Sequence, residues 1–408
     1  VGNRVGRILV PFAILAAVGA VAVTAYVAAA TMVARTVVTP ARRRKQDVDI
    51  LSVAPDLSAV TVSGTADALA VPGRYGLWFS DDRGYALLGD VIAEAEDGTV
   101  TRAVESVRWG ALDEARRGRL GGWFFTSPAE LGLPVESVDI VVDDGTAPAW
   151  LFPAAETSDR WAIHVHGRGA RRQETLRAIP LFHEKGYTSL AISYRNDGDA
   201  PDSADHRYGL GATEWHDVDA AIAYALASGA KDILLVGWSM GGAIALQTAV
   251  RSPRADSIRG LVLDSPVIDW VETLDFQADE MRLPRPVTEG ALLLLDSAWA
   301  TSLVGQDAPI GLAGLDFTLR AHELSVPVLL MHSDDDGYVP AGGSHRLAHL
   351  RPDIVTFVPF AQAKHTKLWN YDPVRWTNAI ADWLDELSAD LGAVNDEDTS
   401  YSARGEDR

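Results

Sequence analysis

The run Gly237-Trp238-Ser239-Met240-Gly241, followed by Gly242, has the spacing of a nucleophilic serine on a tight turn. A hydroxyl that attacks a carbonyl must stand clear of its backbone, and a sharp strand-to-helix turn achieves this only with small residues beside it. Gly237 and Gly241, two positions to either side, meet that need. The apolar residues 233–236 before the turn and 243–247 after it supply the strand and the helix. A serine hydroxyl is a poor nucleophile at neutral pH, so a base is required. Among ten histidines, His365 follows the last expected strand and precedes the last expected helix, which sets it on the same sheet edge as Ser239. His345 and His349 fall on an amphipathic helix and read as solvated or packing side chains. A carboxylate that orients the imidazole belongs after another strand, between serine and histidine in the chain. The run 332–340, His-Ser-Asp-Asp-Asp-Gly-Tyr-Val-Pro, offers Asp334, Asp335 and Asp336, and spacing does not separate them. The developing oxyanion needs backbone donors: the N–H of Met240, directly after the nucleophile, and the N–H of Arg168 in the turn His166-Gly167-Arg168-Gly169. His164 and His166 alternate on one strand face, but no carboxylate or cysteine neighbours them in sequence, so no metal is expected.

These positions require a scaffold that brings several loops to one edge. Strands are expected at 138–142, 148–152, 161–166, 188–193, 232–236, 260–264, 327–331 and 354–357, with helices near 171–184, 213–226, 240–250, 342–350 and 373–387. Strands that are apolar without alternation, separated by helical stretches, predict a mostly parallel eight-stranded α/β sheet covered on both faces. The stretch between the strands at 260–264 and 327–331 is long enough to form a cap, about 267–321. Its Trp270, Phe276, Leu292 to Leu295 and Trp299 read as an apolar lining or as ordinary helix packing. Before this catalytic region, 135–388, lies a β-rich accessory region, 46–134. Short β runs at 59–62, 75–79, 85–92 and 99–107 there are broken by Gly64, Pro72-Gly73, Asp81 to Gly84 and Asp97-Gly98. Its Trp78, Trp109 and Trp123 read as core, with a binding face as the other reading.

Charge divides the molecule further. The formal net charge is −20, which argues against a nucleic-acid partner, since phosphates are held by clustered cations. Yet residues 1–45 carry seven basic side chains and no acid (Arg4, Arg7, Arg35, Arg42, Arg43, Arg44 and Lys45), whereas 389–408 hold six acids against two arginines. That tail, poor in apolar residues, is expected to be disordered. Residues 8–33 are 26 positions without a charge, roughly 39 Å as a helix against a hydrocarbon core of about 30 Å. A signal-peptide h-region would be about 7–15 residues, so the run reads as an uncleaved single-pass anchor, and residues 1–45 as a membrane segment with a basic flank. The excess of Arg and Lys after the span favours a cytoplasmic catalytic side. Cysteine is absent, which removes disulfides, thiolate metal sites and cysteine nucleophiles.

Four features resemble the α/β-hydrolase superfamily over 135–388: the His166-Gly167 turn, the Gly-Trp-Ser-Met-Gly elbow, the acidic turn ending in Val339-Pro340, and His365. Within it the chain is similar to serine-aminopeptidase-like and prolyl-oligopeptidase-like hydrolases. The resemblance implies an α/β-hydrolase fold with a cap. It also aligns His332 and Val339-Pro340 with an H-G-x-x-D-x-x-V-P turn, which selects Asp336; Ser333 departs from the usual glycine. The expectation is a membrane-anchored serine hydrolase that cleaves an ester or related acyl bond through Ser239, His365 and Asp336, without a cofactor. A peptidase or amidase using the same residues, and a tethered non-catalytic scaffold, are the alternatives.

Overall fold

The computed structural model describes residues 2–40 and 44–402, with side chains from 20 to 40 and from 44 to 389. Arg42 and Arg43 of the basic flank and the side chains of Arg4 and Arg7 lie outside the described residues, as does 403–408. The chain opens on one long helix, α1 (Gly2–Val38). Six strands follow: β1 (Val48–Val53), β2 (Ala59–Gly64), β3 (Tyr75–Phe79), β4 (Gly84–Glu94), β5 (Val100–Trp109) and β6 (Arg117–Gly121). They close into a barrel in the order β1-β2-β5-β4-β3-β6. Alternation places Val60, Val62, Leu77, Phe79 and Leu88 inside, fully buried,. The expected β-rich region is therefore a closed barrel, and two of its strands were not anticipated. β6, Arg-Gly-Arg-Leu-Gly, has the composition of a loop. It is a strand because it pairs with both β1 and β3, where a Cβ on Gly118 would come within 2.6 Å of the Trp78 carbonyl oxygen. Trp78 and Trp109 lie outside the barrel core, gathered around Tyr85 at ring distances of 4.6 and 5.2 Å.

The second sheet comprises β7 (Glu136–Val142), β8 (Gly145–Phe152), β9 (Arg160–Val165), β10 (Thr188–Ile192), β11 (Asp232–Trp238), β12 (Ile258–Asp264), β13 (Val328–Ser333) and β14 (Val355–Phe360). Their spatial order is β14-β13-β12-β11-β9-β10-β8-β7. Every pair is parallel except β10–β8 and β7–β8. Two apolar layers cover its faces. One includes α3 (Trp215–Ala227) and α4 (Met240–Arg251), and the other α2 (Ile179–Glu184) and α10 (Pro373–Ser402), whose Trp376, Ile380 and Trp383 are buried. The helix expected near 171–184 is a 3-10 turn, Arg172–Arg177, followed by α2. α10 continues through 389–402, where disorder was expected. Low apolar content argues against a packed core, but extending a formed helix costs little once it is nucleated.

Between β12 and β13, at the expected cap, lie α5 (Trp270–Glu280), α6 (Arg285–Leu295) and α7 (Thr301–Val304); α8 (Gly342–Leu350) and α9 (Leu368–Tyr371) flank β14. The cap's aromatic and leucine residues do not form one lining. Trp270 is buried and donates Nε1–H to the Leu210 carbonyl at 2.8 Å, Leu294 and Leu295 join the core, and Leu293 and Trp299 face outward. The reason is α1. Its Ala30, Ala34 and Val38 are buried in the same cluster as Ala291, Ala300 and Val304, so part of the cap's packing surface is taken up by the first helix of the chain. A Cβ on Gly290 would come within 3.1 Å of the Ala30 Cβ, which is why α6 can approach α1 only at a glycine.

Candidate active site

Ser239 joins β11 to α4 at φ 53° and ψ −118°, a backbone region that L-residues enter only when the surroundings enforce it. The surroundings here are the flanking glycines. A Cβ on Gly237 would lie 2.5 Å from the Gly241 carbonyl oxygen, and one on Gly241 would collide with the Val165 carbonyl. The Ser239 amide donates to the Asp264 carbonyl at 3.0 Å and its carbonyl accepts from Val267 at 3.2 Å, which ties the turn to β12. Its hydroxyl sits at the N-terminus of α4, where the helix dipole is positive.

His365 follows β14, and its Nε2 is 2.8 Å from Ser239 Oγ. Its Nδ1 is 2.7 Å from Asp336 Oδ2. A nitrogen that faces a carboxylate carries the proton, so Nε2 is left to accept the Ser239 hydroxyl. Asp336, buried after β13, also accepts at Oδ1 from the amides of Tyr338 and Val339 at 2.8 and 2.9 Å. His332 Nε2 faces both Asp336 Oδ2, at 3.2 Å, and the Val339 carbonyl, at 3.0 Å; it is therefore the protonated nitrogen, and Nδ1 accepts from Ser344 Oγ at 2.7 Å. Burial alone would push the Asp336 carboxyl up, but the adjacent His365, cationic once protonated, and the hydrogen bonds from His332 and His365 outweigh it and hold the group well below the ordinary carboxylate range,.

The three neighbouring aspartates are thus separated by their partners. Asp334 pairs with His345 Nε2 at 2.8 Å and Asp335 with Lys364 Nζ at 2.7 Å, both near the surface; only Asp336 meets His365. On the opposite side, the Gly167 amide donates to Glu174 Oε2 at 2.7 Å. Among the described residues no protein acceptor meets the amides of Arg168 or Met240. The Arg168 guanidinium instead donates to the Thr36 and Val37 carbonyls at 2.8 and 2.7 Å, capping the C-terminus of α1. His166 does have a carboxylate neighbour, contrary to the sequence reading: Nε2 lies 3.1 Å from Asp197 Oδ2, brought in from the loop after β10. His164 is enclosed, bonded to Ser189 Oγ at 3.1 Å, and burial pushes its imidazole down to about 3. Among the described residues no group of three or more His, Asp or Glu could hold a metal ion.

Sequence reasoning missed the residues behind the histidine loop. Arg177 is buried and donates to the Thr366 carbonyl at 2.9 Å and to Asn370 Oδ1 at 2.7 Å. Asn370 in turn donates Nδ2–H to the Arg74 carbonyl of the barrel at 2.7 Å. Ser265 accepts from the Thr366 amide at 3.2 Å. No local motif marks these positions, because each acquires its partner only through the tertiary fold. A cavity of about 920 Å³ lies between the barrel, the end of α1 and the 196–208 loop, walled by Trp78, Trp123, Arg171 and Gln173. Its walls include Gly169, next to Arg168, but not Ser239, His365 or Asp336.

Residues 163–294 match the family model described as alpha/beta hydrolase fold. An esterase of Pyrococcus furiosus has a similar structure at a TM-score of 0.50 and 19% identity, over 64% of this chain and 96% of that one. The fold is that of an α/β-hydrolase. Esterases from a Rhodococcus species (18% identity, TM-score 0.44, 62% of this chain and 99% of that) and from Exiguobacterium antarcticum (16%, 0.44, 61% and 100%) are also similar. No curated protein matches the chain. Ahead of the α/β-hydrolase region, residues 49–121 match a model described as a domain of unknown function (DUF8805); those bounds coincide with the barrel. In the α/β-hydrolase sheet Ser239 follows β11, Asp336 follows β13 and His365 follows β14, so the three converge at the carboxyl edge although Ser239 and His365 are 126 positions apart.

Proposed function

We propose that the protein is a membrane-anchored serine hydrolase that cleaves an ester or related acyl bond through a covalent acyl-enzyme. The observation that carries this reading is the unbroken relay from Ser239 Oγ through His365 to Asp336, with links of 2.8 and 2.7 Å. Ser239 Oγ adds to the substrate carbonyl carbon while its proton passes to His365 Nε2; the carbonyl electron pair moves onto oxygen. The amides of Met240 and Arg168 stabilise that oxyanion, and Asp336 stabilises the imidazolium. When the intermediate collapses, the leaving alcohol takes the proton from Nε2. Water then gives a proton to Nε2 and adds to the acyl carbon, and Ser239 departs with that proton to release the acid. No step calls for a cofactor.

α1 supports the anchor. The uncharged run 8–33 lies within α1 and is long enough to cross a membrane,; residues 20–28 are exposed, unlike those of a soluble core helix, while Ala30, Ala34 and Val38 pack with the cap, which favours retention over cleavage. A fluorophosphonate probe, which phosphonylates an activated serine, tests the enzyme: the wild type is expected to label and Ser239→Ala to lose the label entirely. A folded wild type that stays unlabelled would refute the reading. A panel of esters and matched amides then reads which leaving group the site accepts.

A further inference from the structure

The outward face of the cap is apolar where a soluble surface would be polar. Leu293 on α6 is 60% exposed, Trp299, just before α7, 67% and Leu303 on α7 40%. Scattered single apolar residues need no explanation, but these three share a neighbour. Both α6 and α7 pack on α1: a Cβ added at Gly290 would run into Tyr26 and Ala30, and Arg35 Nε donates to the Leu303 carbonyl at 2.7 Å. On α1 itself Val23, Tyr26, Val27 and Met32 are exposed. The uncovered apolar residues of the first helix and of the cap therefore lie on elements packed directly against each other, and together they make the surface in question. Glu289, one turn before Leu293, and Asp296 border it as exposed acids.

Helix length says what covers that surface. The uncharged run 8–33 is 26 residues, whereas a hydrocarbon core takes about 20. If 8–27 fill the core, Tyr26 stands at its boundary and Ala30, Ala34 and Val38 rise out of it, which is where α6 and α7 meet the helix. Aromatic side chains concentrate at that boundary layer, and Trp299, just before α7, is an exposed aromatic on the cap. Arg35 and Lys45, both exposed, suit an anionic headgroup layer just above.

We infer that the α6–α7 face of the cap docks into the interfacial layer of a phospholipid bilayer, beside the helix that crosses it, so that Leu293 and Trp299 are in lipid. The inference rests on the anchor reading above and adds a second contact to it: the catalytic body lies on the membrane instead of swinging from a tether.

The chain has no cysteine, so single-cysteine variants of the full-length protein report one position each. Leu293→Cys, Trp299→Cys and, as a remote exposed control on α10, Val374→Cys would carry an environment-sensitive fluorophore. The proteins would be reconstituted into vesicles of phosphatidylcholine and phosphatidylglycerol. Docking predicts blue-shifted emission at 293 and 299, quenching there by spin-labelled lipid and protection from aqueous iodide, with the opposite pattern at 374. Water-like signals at 293 and 299 in protein that resists salt extraction would overturn docking while leaving the anchor intact; protein released from vesicles by salt would overturn the anchor itself. Disulfide-linked dimers through Leu293→Cys, without lipid quenching, would assign the face to a second copy and also overturn the inference. As an independent readout, Leu293→Asp with Trp299→Asp is expected to lower hydrolysis of a vesicle-embedded long-chain ester about tenfold or more, since two apolar side chains leave the lipid, while a water-soluble short-chain ester is turned over as before. An equal loss on both esters would count against docking.

Discussion

At the scale of single residues, Asp336 shows how environment assigns a role that composition cannot. It stands in a row of three aspartates, and only its burial beside His332, Tyr338 and Val339 makes it the imidazole's partner. Asp336→Asn is expected to reduce kcat about 10⁴-fold, as loss of the correct imidazole tautomer does elsewhere, while Asp334→Asn and Asp335→Asn leave it within a few-fold. Steady-state kinetics on the three variants checks this; equal losses would mean that the exposed aspartates share the role. The depressed Asp336 carboxyl also links stability to pH. Its folded-state pKa lies below its unfolded value, near 4,, so the stabilisation is fully present above that value and is lost as pH falls below it. Denaturant midpoints of the wild type and Asp336→Asn should therefore converge on acidification from about pH 4. A gap that stays constant would show that the carboxylate contributes no proton-linked stability. Gly241→Ala is the steric counterpart: its Cβ has no place against the Val165 and His166 carbonyls, and a soluble-yield or melting measurement should register severe destabilisation.

Between elements, the barrel is fastened to the loop that carries the candidate base. Arg102, fully buried inside the barrel region, donates to the carbonyls of Leu69, Val71, Gly73 and Gly89 and so shapes the 69–73 loop. That loop leads to Arg74, whose amide donates to the Asn370 carbonyl at 2.9 Å and whose carbonyl accepts from Asn370 Nδ2. Asn370 meets Arg177, and Arg177 holds the Thr366 carbonyl directly after His365. Fixing a catalytic group in its attacking geometry is worth orders of magnitude in rate. Asn370→Ala is accordingly expected to lower kcat about tenfold or more with little change in KM, whereas Asp67→Ala, which removes an exposed ion pair to Lys367, should leave both within two-fold because such pairs contribute about 0–1 kcal/mol. A parallel rise in KM for Asn370→Ala, or no change in kcat, would separate the barrel from catalysis.

For the molecule as a whole, the net charge of −20 is an average over parts that face different surroundings. A basic N-terminal segment lies next to the proposed span, and an acidic body lies beyond it. The full-length chain is expected to stay with membranes through high salt and alkaline carbonate and to leave them only in detergent. If the body lies on the cytoplasmic side, the side the charge bias favours, protease added outside intact cells should spare it and reach it only after lysis. Digestion in intact cells would reverse the orientation without touching the anchor.

Several features were legible in the chain by itself because they are local. The elbow needs glycines two positions from Ser239, parallel strands announce themselves as uninterrupted apolar runs, and the order of serine, acid and histidine follows from which strand each one ends. The 26 uncharged residues likewise predict one long apolar helix, and α1 is that helix. Tertiary structure decided what depends on residues far apart. It set Asp336, which spacing alone left level with its neighbours and the family resemblance had singled out, against His365, committed the Gly167 amide to Glu174, made a strand of glycine-rich β6 and packed the cap on α1. Asn370 and Arg74, 296 positions apart, carry no pattern that announces their meeting. A turn or a strand is dictated by sterics within a few residues, whereas the choice between equivalent polar partners is made by burial, which exists only once the chain has closed around them.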